Sequence, residues 1–206
     1  MHFKDELQNI ISGVGQNAEE NLIQAAANYL RAGQKTGGSI EADKLTKDEE
    51  AKKLIEWAGS HHLLLKDIDE TRFIARGAEQ RVYLDTDVQF VRKLNDAVFY
   101  LSWTDYFISL QIHNLFFSGT AYELIGFYVE KNILHAVVKQ PYIQITDSTD
   151  VEHVKQFLLS NGFQLKKNND YYNTELGIIL EDLHDENVLM NNDTLFFIDT
   201  VFYVMH

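Results

Sequence analysis

The chain has 206 residues, which is enough for one domain with a sizeable core or for one domain with a helical extension. Hydrophobic residues make up 45% of the sequence and exclude global disorder, and the absence of cysteine excludes disulfides and thiolate metal sites. The formal charge of −13 opposes attraction to nucleic-acid backbones and to anionic lipids. The sequence shows no secretory signal pattern and no apolar run of membrane-spanning length, so we expect a cytoplasmic protein that contacts neither nucleic acid nor membrane.

Two amphipathic helices are predicted near the start of the chain. Asn17 is the expected N-cap of the first helix, and Gly33 is expected to end it. Thr46 and Glu49 form a capping box before the second helix, which is predicted to run to about Gly59. Neither helix carries a catalytic pattern. We therefore expect the two helices to be a docking or stabilising element, and exposed apolar faces on them would allow a partner to dock or a homo-oligomer to form.

From Phe73 onward the pattern changes to short β-prone runs with one helix among them. The predicted strands are residues 73–75, 81–84, 89–94, 122–128 and 133–138, and the predicted helix is 103–114. Pro141 lacks a backbone N–H donor and is expected to end the last of these strands. Thr149 and Glu152 predict a further capping box, for a helix that Gly162 ends.

Acidic residues with a defined spacing follow in the last part of the sequence. Asn187 comes five residues after Asp182, and the apolar run 195–198 leads directly into Asp199. In phosphoryl transfer one aspartate orients or deprotonates the attacking hydroxyl, while an asparagine and a second aspartate hold Mg²⁺ against the nucleotide phosphates. This spacing therefore indicates phosphotransfer chemistry.

The run Asp182-Leu183-His184, with Asn187 three residues further on, resembles the catalytic loop of protein kinases and of aminoglycoside phosphotransferases. The stretch from about residue 76 to residue 202 resembles the small kinase-like domains of bacterial polyvalent proteins, which conjugative elements and phages carry. The resemblance implies an α+β fold: a minimal protein kinase-like domain with an antiparallel N-lobe sheet, one helix in that lobe and a truncated C-lobe. The domains expected are a helical N-terminal extension at 1–67, the N-lobe at 68–141 and the C-lobe at 142–206.

The resemblance also implies roles for individual residues. Asp182 becomes the catalytic base or orienting group, and Lys93 becomes the lysine that pairs with the α- and β-phosphates. Asn187 and Asp199 become the ligands of Mg²⁺. Without the resemblance, Lys93 would be read as a solvated charge at a strand end.

Four further residues are implied to bind the nucleotide, ATP. Gly77 and Gln80 lie in the turn that would fold over its phosphates, and Gln140 and Tyr142 lie in the segment that would receive adenine, mostly through backbone groups. Ordinary structural interpretations stay open for both segments. The first would be a hairpin turn, and the second a loop after an edge strand.

The sequence departs from the kinase pattern in two places. The predicted helix 103–114 lacks the glutamate that would pair with Lys93, since its only acid is Asp105, and Gln111 or Glu123 are the candidate substitutes. After Asp199 only residues 200–206 follow, so the usual activation segment and the helices of the substrate platform are not expected.

We expect an ATP- and Mg²⁺-dependent phosphotransferase that acts on a hydroxyl of a protein or small molecule. The alternative is a catalytically weak, nucleotide-binding pseudokinase or an interaction module of a mobile-element protein. A rival chemistry starts from Asp182-x-His184, which also opens the metal sites of metallophosphoesterases. Those enzymes need further Asn and His ligands on later strands, and His206 is the only Asn or His in the sequence after Asp199.

Overall fold

The computed structural model describes residues 3–14, 21–33, 45–77, 80–167 and 169–205. The helices of these residues are α1 Phe3–Ser12, α2 Leu22–Ala32, α3 Lys47–Ser60, α4 Trp103–Phe116 and α5 Val151–Ser160. The strands are β1 Phe73–Arg76, β2 Gln80–Leu84, β3 Phe90–Asn95, β4 Glu123–Glu130, β5 Ile133–Pro141, β6 Gln164–Lys167, β7 Asp170–Asn173, β8 Ile178–Glu181, β9 Val188–Asn191, β10 Thr194–Phe197 and β11 Val201–Val204. The fold is α+β, as predicted. Among the described residues, no helix is both long and apolar enough to cross a membrane.

Residues 73–141 form an antiparallel sheet of five strands in the order β1-β2-β3-β5-β4. These are the five strands that the β-prone runs predict, and α4 is the one helix inserted among them. Pro141 is the last residue of β5, which confirms that the proline ends this strand. Aromatic residues of α4, such as Trp103 and Phe107, pack with Phe127 of β4 in a first apolar core.

Residues 164–204 form a four-stranded sheet in the order β11-β8-β7-β6 and a separate hairpin of β9 and β10. Their apolar side chains build a second core, in which Ile112 of α4 packs with residues such as Leu180, Val188 and Phe202. Phe202 also donates its backbone N–H to the Ser109 hydroxyl at 2.9 Å. Helix α4 therefore belongs to both cores.

The N-terminal helices are packed against this framework. Leu7 and Ile10 of α1, a helix that the sequence patterns did not predict, are buried in the second core. Ile23 and Leu30 of α2 and Leu54 of α3 are buried in the first. Of the two expected roles, the structure therefore favours the stabilising one, because the rest of the chain covers these apolar faces of α2 and α3.

Two of the predicted N-caps lie in the described part of the chain, and the third, at Asn17, does not. Thr46 and Glu49 form the predicted capping box of α3. Helix α2 is capped by Asn21, whose side chain accepts hydrogen bonds from the first turn, while Asn17 lies outside the described residues. Helix α5 is capped by Asp150 and not by Thr149. The Thr149 hydroxyl instead donates to the carbonyl of Val188 in β9. The hydroxyl that would cap α5 is therefore bound to this strand.

Glu50 of α3 connects the N-terminal helices with α4. Its carboxylate accepts hydrogen bonds from the Trp103 backbone N–H at 2.6 Å and from the Thr104 hydroxyl at 2.7 Å. The first turn of a helix has free N–H groups and the positive end of the helix dipole, so a carboxylate is favourable there. Glu50 is buried, and it therefore fixes where the first turn of α4 lies.

Replacing Glu50 by glutamine should change how stability depends on pH. Burial raises the pKa of Glu50, although its bonds to Thr104 and Trp103 act in the opposite direction. A carboxyl with a raised folded pKa contributes stability below its unfolded pKa, and this contribution is lost as the pH rises through the folded pKa. Relative to Glu50→Gln, the free energy of unfolding of the wild type should fall as the pH rises above about 4.5, measured by urea denaturation.

Glu49→Gln is the matched control for this experiment. Hydrogen bonds from the backbone and hydroxyl of Thr46 lower the pKa of Glu49, so its contribution is lost as the pH falls, which is the opposite sign. Parallel stability curves of wild type and Glu50→Gln above pH 4.5 would contradict the prediction.

Candidate functional site

A short hairpin brings Asn187 and Asp199 together. Strands β9 and β10 pair in register from Asn191 and Thr194 at the turn to Val188 and Phe197 at the open end. The two turn residues, 192 and 193, both have positive φ, as the commonest two-residue hairpin turns require. The ladder continues with a hydrogen bond of 3.0 Å from the Ile198 N–H to the Asn187 carbonyl. Asp199 therefore follows directly after the residue that pairs with Asn187.

The Asp182 loop is held to the same place by side-chain contacts. The Asn187 amide nitrogen donates to the Asp182 carbonyl at 2.8 Å and to its Oδ2 at 2.9 Å. The other carboxylate oxygen, Oδ1, lies 2.9 Å from Nε2 of His184. Asp182 has φ +68°, a left-handed conformation that aspartate adopts more readily than most residues. Its backbone conformation and these two partners together set the direction of the carboxylate.

These residues line one open cleft of about 590 Å³, a volume typical of small-molecule sites. The predicted residues in its wall are Gly77, Gln80, Asp182, Asn187 and Asp199. The structure therefore brings five of the eight predicted site residues into one wall. Lys93, Gln140 and Tyr142 are not part of it.

Gln80 joins the first sheet to the acidic end of the hairpin. Its side-chain amide donates a hydrogen bond to the Asp199 carboxylate. Gly77 closes the β1–β2 turn through a bond of 2.9 Å from its N–H to the Gln80 carbonyl, while residues 78 and 79 lie outside the described part of the chain. Strands β1 and β2 pair as neighbours in an antiparallel sheet, and Gly77 and Gln80 also border the cleft. Phosphate contacts from Gly77 and Gln80 stay a prediction.

Lys93 lies behind the cleft, in the interior of β3 and not at its end as predicted. It is 3% exposed, whereas its neighbour Arg92 is exposed and forms an ion pair of 2.9 Å with Asp85. This alternation follows from the two-residue period of a strand. Lys93 Nζ donates to the carbonyl of Ile198 at 2.8 Å, one residue before Asp199. The alternative interpretation of Lys93 as a solvated surface charge is therefore wrong.

The two candidate substitutes for the missing glutamate have different surroundings. The Gln111 amide donates to the Phe107 carbonyl at 3.2 Å, within its own helix. Glu123 is exposed at the start of β4, opposite Lys139 of β5.

Tyr122 is a site residue that sequence reasoning missed, because it was read only as an apolar strand position. Its hydroxyl donates to the Ile198 carbonyl at 2.6 Å, the same atom that Lys93 contacts. Burial, and secondarily the nearby Asp199 carboxylate, raise the pKa of Tyr122 well above its usual value. The phenol therefore stays protonated and remains a donor.

His113 of α4 contacts Thr200, the residue that follows Asp199. It is fully buried, and burial lowers its pKa to about 3. Nε2 lies 3.0 Å from the carbonyl of Thr120, and Nδ1 lies 2.7 Å from the Thr200 hydroxyl. A carbonyl can only accept, so in the neutral ring Nε2 carries the proton and Nδ1 accepts from Thr200.

The predicted adenine segment is packed into the sheet. The Gln140 side chain is buried and donates to the Thr120 carbonyl at 2.8 Å. The Tyr142 side chain is exposed, and its backbone N–H donates to the Gln89 carbonyl at 2.8 Å. Adenine binding by the backbone of this segment stays a prediction.

The cleft has further acidic groups that lie outside the Asp-Asn-Asp spacing, so the sequence motif does not include them. Asp170, Glu181 and Glu186 line it together with the predicted acids. Burial, and then the negative charges of Asp170 and Asp182, raise the pKa of Glu181. A cleft with this excess of one sign attracts cations.

The oxygen donors of the cleft fit a metal that arrives with a phosphate. Among the described residues, no group of three or more His, Cys, Asp and Glu side chains could hold a metal. Asn187 and Asp199 would supply two oxygens, and Mg²⁺ is usually held by one or two carboxylates together with water and substrate phosphates. The further ligands that a metallophosphoesterase needs are not gathered here in the described chain, and His206 lies outside it.

An antiparallel sheet with one inserted helix, followed by an Asp-Asn loop and a hairpin that ends in aspartate, defines a kinase-like domain. A protein-family model described as "Serine/Threonine/Tyrosine Kinase found in polyvalent proteins" matches residues 47–206. The match covers most of the chain, and the chain belongs to this family. It starts at the first residue of α3 and therefore includes Glu50. No curated protein matches the chain.

Replacing His113 by glutamine should weaken the acid sensitivity of the fold. With its pKa lowered from 6.5 to about 3, folded His113 stays neutral where the unfolded chain binds a proton, so stability is lost as the pH falls below 6.5. We expect the wild type to exceed His113→Gln in the free energy of unfolding at pH 7.5. This difference should shrink by about 1.4 kcal/mol per pH unit below 6.5.

Urea denaturation between pH 4.5 and 7.5 measures this difference. His153→Gln, on the exposed face of α5, is the control and should change stability by less than about 0.5 kcal/mol. A difference between wild type and His113→Gln that does not vary with pH would contradict the prediction.

Proposed function

We propose that this kinase-family protein is an ATP- and Mg²⁺-dependent phosphotransferase that transfers a phosphoryl group to a hydroxyl of a protein or small molecule. One observation carries the proposal. Asp182, Asn187 and Asp199, which the sequence places in the order of a kinase active site, line one cleft, and Lys93 reaches the residue next to Asp199. This is the set of groups that phosphoryl transfer needs.

Asp182 would orient the attacking hydroxyl and accept its proton. Its side chain is exposed to the cleft, and one oxygen is held by Asn187 and the other by His184. A carboxylate fixed in this way does not have to be ordered again when the acceptor binds. Holding the reacting groups in a defined geometry is a large part of catalysis in phosphoryl transfer.

Asn187 and Asp199 would hold the metal. Because the Asn187 amide donates through its nitrogen to Asp182, its oxygen is the atom that suits a cation. When bound, Mg²⁺ supplies positive charge that neutralises the nucleotide phosphates and the developing charge of the transferred group. Gln80 already donates to the Asp199 carboxylate and would keep that ligand oriented.

The charge of the cleft makes the metal essential to this proposal. Five acidic residues line it, in a chain with a formal charge of −13, so a nucleotide triphosphate alone would be repelled. Lys93 and a divalent cation would offset that repulsion. Strong Mg²⁺ dependence of nucleotide binding is therefore expected.

Nucleotide binding without turnover is the second candidate. The absence of a glutamate in α4 favours it, because that glutamate positions the lysine in active kinases. The two candidates share the binding step and differ in phosphoryl transfer.

Calorimetric titration of ATP into wild type and Asp199→Asn tests the binding step. We expect binding that requires Mg²⁺ and that is weakened about tenfold or more in Asp199→Asn, because the variant loses a charged metal ligand. Asp185→Asn, an exposed acid of the same loop outside the cleft wall, should bind as the wild type does. Absence of binding by the folded wild type, or binding that does not respond to Mg²⁺, would reject both candidates.

Phosphoryl transfer from γ-labelled ATP tests the chemical step. We expect phosphate release or autophosphorylation by the wild type, and a rate about 10²- to 10⁴-fold lower in Asp182→Asn, the usual effect of losing a general base. Binding of ATP should be nearly unchanged in that variant, and Asp185→Asn again serves as the control. Tight Mg²⁺-dependent binding with no transfer to any acceptor would identify the chain as a nucleotide-binding pseudokinase.

A further inference from the structure

Helix α4 carries no glutamate, yet it is linked to the candidate site by two residues of its last turn. Its only acid, Asp105, lies at the opposite end and accepts a hydrogen bond of 2.6 Å from the capping residue Ser102. His113 and Asn114 are the residues whose side chains point toward the Asp199 segment and the start of β4. The connection that a glutamate would supply must therefore come from elsewhere.

The Asn114 side chain forms hydrogen bonds with both the N–H and the carbonyl of Tyr122. Its amide nitrogen donates to the Tyr122 carbonyl at 2.8 Å, and its amide oxygen accepts from the Tyr122 N–H at 2.7 Å. One side chain thus satisfies both backbone groups of Tyr122, as a paired strand residue would. The position of Tyr122 is consequently fixed relative to α4.

Tyr122 in turn shares an acceptor with Lys93. The phenol and the ammonium both donate to the Ile198 carbonyl, at 2.6 Å and 2.8 Å, and a carbonyl has two lone pairs for two donors. Lys93 Nζ also lies 5.5 Å from the centre of the Tyr122 ring, within the range of a cation–π contact. Tyr122 therefore touches both the lysine and the residue before Asp199.

As a result, the residues before and after Asp199 are both connected to α4. Ile198 is reached through Asn114 and Tyr122, and Thr200 is reached directly by His113. Both chain neighbours of the candidate metal ligand are thus tied to α4 by hydrogen bonds.

We propose that Tyr122 is a positioning residue that fixes Lys93 and Asp199 relative to α4. The resemblance to kinases would assign this task to a glutamate of α4. This inference rests on the proposed function, since it concerns how the phosphate-binding lysine is held. A neutral phenol steadies an ammonium group through its ring and adds no further negative charge beside Asp199. In a cleft that already has five acids, a sixth would compete with the phosphates for Lys93.

Tyr122→Phe removes the hydroxyl and keeps the ring. We expect the variant to fold and to bind Mg²⁺-ATP and Mg²⁺-ADP about tenfold more weakly, the scale typical of residues that orient a ligand-binding group. Binding of adenosine, which has no phosphate, should stay unchanged. A merely structural role of Tyr122 would affect adenosine and ATP alike.

Tyr83→Phe is the matched control, because Tyr83 is also buried and also donates a hydrogen bond, to Glu70 at 3.0 Å. Its hydroxyl donates to Glu70 and not to the Ile198 carbonyl, so Tyr83→Phe should leave all three affinities unchanged. Asn114→Ala provides a second variant if Tyr122→Phe does not fold, and it should weaken ATP and ADP in the same selective way.

A double-mutant cycle with Lys93→Met shows whether Tyr122 acts through the lysine. In the Lys93→Met background, Tyr122→Phe should weaken ATP binding by clearly less than tenfold, since the part of its effect that passes through the lysine is already lost and only the contact with the Asp199 segment remains. Wild-type affinities in Tyr122→Phe and Asn114→Ala, or equal weakening of adenosine, would overturn the inference and leave the proposed function intact. Failure of the wild type to bind Mg²⁺-ATP would instead overturn the proposed function.

Discussion

The burial of α4 on nearly all sides is the constraint on which the rest of the structure depends. Its apolar residues belong to both cores, with Phe107 in the first and Ile112 in the second. A helix that is apolar all round has to be enclosed, and here sheets and helices from both halves of the chain enclose it. The same enclosure places His113 and Asn114 against the candidate site. Packing and site geometry therefore have one origin.

The candidate site combines strong negative charge with few fixed cations. Its acids come from several elements: Asp170 from β7, Glu181 from β8, and Asp182 and Asp199 from the ends of strands. Lys93 is the buried cation that reaches this region, and its charge is steadied by a carbonyl and an aromatic ring. An arrangement of this kind suits a ligand that carries its own metal counter-charge, because the protein supplies only part of the neutralisation.

Local patterns in the sequence predicted the parts of the fold that local forces determine. The strand positions and the Thr46 capping box follow from the alternation of side chains and from short-range hydrogen bonds, so they could be predicted. The local pattern predicts a cap of α5 at Thr149, and it cannot include the competing contact of Thr149 with Val188, which comes from a distant strand. The grouping of Asp182, Asn187 and Asp199 was found from spacing, whereas Tyr122 was not, because its role depends on Ile198 and on Asn114 of α4.

The covering of α4 also has a consequence for the order in which the protein folds during synthesis. Helix α1, at residues 3–12, and β11, at residues 201–204, both pack against α4. Elements that lie far apart in the sequence are therefore needed to enclose α4. A nascent chain that has emerged only as far as β5 leaves one face of α4 in water. Domains that depend on such distant contacts fold late and slowly. Asp199 and β11 are among the last described residues to leave the ribosome, so a partly made chain exposes an apolar helix before the candidate site has formed.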